Sequence, residues 1–199
     1  MRLTKAAAVL LACATVAASP VARASPVVYS ESDFLRVTIG ASAQLVGTLK
    51  LMMTADTSTV FTPIAGVRAN PGTVTFMFNA GVSGTFSGTI TDSVQVFDNQ
   101  ANGLAGFTDI TQSAIILDTN NAGFDSYDLT TLLSPTTGTA GVGFGLVIPT
   151  SAGTLDLLSS PQDINRSTFT TSAVPEPATL TLLTAGLMGL ARIRRRRAR

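Results

Sequence analysis

Histidine and tryptophan are absent from this 199-residue chain, and its one cysteine is Cys13. Without histidine, neither a Ser–His–Asp nor a Cys–His nucleophile can be assembled. The same absence, joined to that of cysteine beyond residue 13, removes the usual ligands of zinc and other transition metals. A disulfide framework is excluded as well. Charge is scarce, with Asp, Glu, Lys and Arg making up 13% of residues. No P-loop is present. Gly141-Val-Gly-Phe-Gly145 is glycine-rich but lacks the strand–helix context of a dinucleotide fingerprint, and reads as a bent strand.

What the chain does have is concentrated at its two ends. Arg2 and Lys5 precede an apolar stretch from Ala6 to Ala18, and Ala22-Arg23-Ala24 forms an A-x-A site. That is the pattern of a secretory signal peptide, 1–24, cut by signal peptidase between Ala24 and Ser25. At the other end, Val174-Pro175-Glu176-Pro177 is followed by an uncharged run from Ala178 to Ala191. Six arginines close the chain: Arg192, Arg194, Arg195, Arg196, Arg197 and Arg199. Taken as a helix to Ile193, the run spans roughly 24 Å at about 1.5 Å per residue, against a hydrocarbon core of about 30 Å. Flanking arginines can snorkel and a bilayer can thin, so a short transmembrane helix is expected here. The arginines would act as a stop and keep their side of the helix cytoplasmic. Pro175 and Pro177 hold the preceding backbone extended.

This order of tripeptide, apolar run and arginine cluster resembles the PEP-CTERM sorting domain of exported proteins of Gram-negative bacteria. The likeness covers residues 174–199. It implies handling by exosortase, a membrane-embedded transpeptidase-like enzyme, with transient anchoring in the inner membrane and removal of the tail near Pro175–Pro177. It also implies a bacterium that makes exopolysaccharide and biofilm. The resemblance is silent about the body.

The body, 25–173, is 149 residues, enough for one domain with a core of its own. It carries four basic residues against eleven acidic ones, a net charge of −7, so the whole-chain value of +1 reflects the signals. An acidic body argues against nucleic acid, which needs a basic face. Threonine is 24 of these residues, which suits pleated, half-solvated surfaces. Strands are expected at 34–39, with Leu35, Val37 and Ile39 on one face, at 44–53, and at 73–78, the clearest β-branched and aromatic run. Further strands are expected at 85–90, 93–97, 114–117, 141–148, 154–158 and 168–171. Glu31–Asp33 reads as a polar lead-in near a flexible end, Asn70-Pro71-Gly72 as a turn, and Pro63 as the end of a short segment. The stretch 98–106 reads as a loop, and Tyr127–Leu133 as a short helix capped by Asp125 or Ser126. Gly47 suggests a bulge or a close backbone approach. The fold class is all-β: a single β-sandwich of nine to eleven strands with jelly-roll or Greek-key connections.

Two chemistries remain open to such a body. Asp118, Asn120, Asp125 and Asp128 place oxygen ligands at close spacing around Gly123 and could hold Ca²⁺. The EF-hand pattern fails, since Ala122 takes a ligand position and no glutamate closes the loop. Asp and Asn also form turns by bonding their own backbone. Asp92 with Asp98 and Asn99 is a looser candidate of the same kind. A pair of aspartates could serve glycoside hydrolysis, given a cleft. The expected function is therefore a non-catalytic envelope or extracellular-matrix protein, adhesive or exopolysaccharide-associated. A calcium-dependent carbohydrate-binding module and an aspartate-based glycoside hydrolase are the alternatives.

Overall fold

The computed structural model describes residues 26–159 and 166–174, where every regular element is a β-strand or a single 3-10 turn. The expected signal peptide, with Ala22, Ala24 and Ser25, lies outside these residues, as does the segment from Pro175 to Arg199. Among the described residues no helix is long and apolar enough to cross a membrane.

Thirteen strands run in chain order. The first six are β1 (Pro26–Ile39), β2 (Leu45–Asp56), β3 (Phe61–Ile64), β4 (Val67–Pro71), β5 (Thr73–Asn79) and β6 (Thr85–Thr89). Next come β7 (Val94–Asn99), β8 (Leu104–Asp109), β9 (Ala114–Asn120) and β10 (Thr136–Val142). The last three are β11 (Val147–Thr150), β12 (Gly153–Ser159) and β13 (Arg166–Ala173). They pair as one antiparallel sheet in the order β3-β4-β7-β8-β9-β10-β13-β1-β2-β5-β6, with β12 beside β1 and β11 beside β12. All-β is the class, but where a sandwich was expected the hydrogen bonding gives one continuous sheet.

That sheet is far from flat. β4 and β1 stand six steps apart along the ladder, roughly 29 Å on a plane at about 4.8 Å per strand. Yet the Asn70 side-chain amide in β4 donates to the Tyr29 hydroxyl in β1 at 3.3 Å. The two regions therefore face each other across a common core. On the other side, Ile90, just past β6, bridges Thr150 of β11, and Ser151 N–H donates to Thr89 O at 2.9 Å. β1, β2, β5, β6, β11 and β12 thus close into a ring.

The local causes are simple. β5 alternates exposed and buried along its whole length, sending Val74, Phe76 and Phe78 inward. β2 sends Leu49, Leu51 and Met53 to the same core. Gly47 in β2 is a close approach as expected, because a Cβ there would collide with the Asn79 carbonyl. At the far end of the order, β3 is short and wholly exposed, and Pro63 lies inside it. An edge strand tolerates proline because one side needs no ladder N–H.

Several expectations are corrected. Residues 98–106 are not one loop: Asp98 and Asn99 end β7, β8 begins at Leu104, and only 100–103 turn. Tyr127–Leu133 is not a helix. A 3-10 turn at Ala122–Phe124 precedes it, and Leu129 adopts φ 64°, which breaks any helical run. The Asp128 carboxylate accepts the Thr130 N–H at 2.9 Å, the local competition that keeps Asp out of helix interiors. Tyr127 and Leu129 are instead pulled into the core, where Phe124, Tyr127 and Phe169 pack edge-on and tilted with centroids 5.8–6.4 Å apart. The segment Gly141–Gly145 is the end of β10 and a tight turn rather than a bent strand. Asn70 is a buried hub, also donating to Asp56 O at 3.0 Å and accepting from the Thr59 hydroxyl at 2.6 Å.

Replacing Gly47 by Ala is expected to cost about 1–3 kcal/mol through overpacking. Val82→Ala, at a fully exposed turn, should stay within about 0.5 kcal/mol of the parent. Urea unfolding of both variants checks the pair.

Candidate functional site

β1 is buried on one face along its length, and that face reads Val27, Tyr29, Glu31, Asp33, Leu35, Val37, Ile39. The only glutamate of the body is therefore not at a flexible end. Glu31 exposes 0% of its surface in mid-strand, and Asp33 exposes 2%. The alternation of apolar residues on both sides of the pair was the available signal. It places 31 and 33 inward once it is traced back to Val27.

Asp33 sits where β1 changes partner. β13 pairs with β1 through Ser32, and β12 begins at Arg36. In that gap Asp33 Oδ1 accepts the Phe34 N–H at 2.6 Å. Burial, offset in part by this bond, raises the Asp33 carboxyl to about 6.

Glu31 opens a series of three contacts. Its Oε1 lies 2.8 Å from Thr119 Oγ1, which lies 2.6 Å from Ser167 Oγ, which lies 2.9 Å from the Asp118 carbonyl oxygen. A carbonyl only accepts, so Ser167 donates to it, and Thr119 must then donate to Ser167. Thr119 has no second proton. All three contacts are hydrogen bonds only when the Glu31 carboxyl itself supplies the first. Burial pushes Glu31 well above the usual carboxylate range; the Thr119 hydroxyl, which donates to the ionised carboxylate, offsets this in part, and Asp118 and Asp33 add to it. Asp118, also buried, is raised by desolvation and partly restored by the Gly141 N–H. A Cβ at Gly141 would collide with the Asp118 carboxylate, so a larger residue there would displace that side chain.

A second acidic corner forms around Asp98. It exposes none of its surface, and neither carboxylate oxygen has a protein partner among the described residues. Arg68 is its cross-strand neighbour in β4 but bonds the Thr62 hydroxyl. Burial first, then Asp128 and Asp125 against the relief of Arg68, raises Asp98 to about 7. The loop carrying Asp125 and Asp128 is tied to the β7–β8 turn, where Gln100 Nε2 donates to Tyr127 O at 2.6 Å. For Asp128, burial alone would raise the carboxyl, but the Thr130 donors and Arg68 outweigh it and the net shift is downward.

The four residues singled out for calcium are split between these places. Asp118 lies against Gly141, and the Asn120 amide donates to Asn102 O at 3.3 Å. Asp125 packs at Gly103, and Asp128 holds its own turn. Asp92 is half-buried and accepts from the Gln112 side-chain amide at 3.5 Å. Asp98 joins Asp125 and Asp128 instead, a grouping that sequence spacing did not suggest. Among the described residues no three acidic groups converge as a metal site would require. A surface cavity of about 370 Å³ is lined by Asn120, Thr137, Gly138, Thr139 and Arg166, with no carboxylate among the described residues.

The end of β13 leads directly to the sorting signal. Val174 N–H donates to Pro26 O at 3.2 Å, and Ala173 pairs with Val27. The family model for the PEP-CTERM protein-sorting motif matches residues 173–197, so the match begins at Ala173, the last residue of β13. The motif marks an exported protein directed to exosortase, with membrane-associated sorting at the C-terminal segment. No curated protein and no solved structure matches the chain.

The buried carboxyls make stability depend on pH. Glu31, Asp33, Asp98 and Asp118 are all raised, so the folded state holds their protons more tightly than the unfolded one. Their contribution is complete below the unfolded value of about 4 and is lost as pH rises through the folded values. Asp128 alone works in the opposite sense, weakening the fold at strongly acid pH. Unfolding free energies from urea titrations should fall between pH 5 and pH 8, by about 1.4 kcal/mol per pH unit for each proton held only by the folded form. Glu31→Gln and Asp98→Asn should each flatten the profile. A profile that rises with pH contradicts the assignment.

Proposed function

We propose that the protein is a non-catalytic exported β domain. The segment after Val174 anchors it in the inner membrane until exosortase removes that segment. It then works in the envelope or extracellular matrix by adhesion or by contact with exopolysaccharide. The observation that carries this reading is the sorting motif at 173–197, joined without a spacer to the last strand of a folded domain. A non-catalytic role is favoured by the burial of Glu31 and Asp33, which are sealed in the core away from any substrate. The threonine-rich outer faces offer hydroxyls for polymer contact. The triple variant Pro175→Ala, Glu176→Ala, Pro177→Ala should fold with an unchanged melting temperature and remain in the inner-membrane fraction. Release into the medium at the parental rate would refute the sorting reading.

A cation-dependent binding module is a second reading, favoured by the buried Asp98 alone, whose two carboxylate oxygens have no partner among the described residues. A ligand that binds only the folded form raises its melting temperature. Millimolar calcium after EDTA should then raise the melting temperature of the parent by several degrees and leave Asp98→Asn unmoved. Equal melts with and without calcium dispose of it.

A further inference from the structure

We propose that the end of the domain bearing Pro26 and Val174 is apposed to the bilayer while the sorting segment is uncut, with Phe61 and Leu132 as its lipid contacts. The inference rests on the reading above that the residues beyond Val174 enter the membrane. Ala173 is fixed in β13 by pairing with Val27, and Val174 by its bond to Pro26. Only residues 174–177 separate that strand from the apolar run starting at Ala178. Fully extended, four residues reach at most about 14 Å. The tether therefore holds this end of the domain within about 14 Å of the membrane surface, which favours contact through whatever lies there.

Two exposed apolar side chains lie there. Pro26 pairs with Asp56, and Asp56 is tied to the turn Thr57–Thr59 by accepting from Ser58 N–H at 2.7 Å. Phe61 follows that turn, 45% exposed. On the other flank, Leu133 N–H donates to the Thr171 hydroxyl at 2.6 Å and Leu133 O accepts the Thr171 N–H at 3.1 Å. Leu132, beside it, is 59% exposed. Asp56 at the same end gives anionic headgroups no reason to attract this face. Apolar contact enforced by a short tether is the driving term, and high salt should leave it unchanged. Val82 marks the opposite end, in the turn after Asn79, which pairs with Thr48. Thr48 precedes Asp56 by eight residues of β2, about 26 Å at roughly 3.3 Å per residue.

The chain has no tryptophan, so one introduced indole reports from one place. Full-length Phe61→Trp, Leu132→Trp and Val82→Trp, each with a parental melting temperature, would be reconstituted into phosphatidylethanolamine–phosphatidylglycerol vesicles with and without brominated acyl chains. Bromolipid should quench emission from positions 61 and 132 by about half or more and leave position 82 unquenched, in low and high salt alike. Equal quenching at 61 and 82 overturns the proposal. A blue shift at 61 and 132 without bromolipid quenching also overturns it, since a protein surface would then cover this end. Failure of the chain to float with vesicles at all refutes the membrane reading itself.

Discussion

The first strand of the body governs the architecture because it alone holds three others. β1 pairs with β2 over its length on one side, and on the other side with β13 and then β12 in succession. Its central position requires a partner from the opposite end of the sequence, and closing so long a loop must precede the contacts that reward it. The sheet cannot be completed until β13 is available. The sorting motif begins within that same strand, so the step that finishes the fold also fixes where the signal leaves it.

The changeover from β13 to β12 has an electrostatic counterpart. Asp33 fills the gap, and Glu31 threads a proton series through Thr119 and Ser167 to β9. Buried ionisable groups seldom add net stability relative to well-packed apolar ones. Burial favours the neutral form of Glu31, and a protonated carboxyl is a donor with a defined direction. The series links β1, β9 and β13, and so specifies how those three strands meet where hydrophobic packing alone would leave more freedom. Asp98 lacks such an arrangement. Its titration near neutrality follows from having been buried without an assigned donor.

Much of this was legible in the residues. The alternation at 73–78, the inward Leu35–Val37–Ile39 face and the close approach at Gly47 all follow from local chemistry, and each has its place in the sheet. The sorting signal was legible because its order of residue types is itself the function. The misses share one physical origin, which is tertiary burial overriding local preference. Tyr127 and Leu129 gain more by entering the core than a short helix would offer. Asn70 looks like turn punctuation until Tyr29, Asp56 and Thr59 use its amide. Glu31 is polar, yet the strand's period of two gives it no outward position. Spacing along the chain likewise grouped Asp118 with Asp125, whereas the curl of the sheet groups Asp98 with Asp125 and Asp128.

The terminal strand β3 has a consequence for the protein at high density. The ring closed at Ile90 and Thr150 covers the β6 end of the order, and β3 stands at the other. An open strand edge is a template onto which a neighbouring molecule can add its own backbone. Here the template has four residues, an irregular register against β4, and a proline that supplies no N–H. At this edge, copies crowded side by side find little backbone to extend, so contact through β3 is left to its side chains.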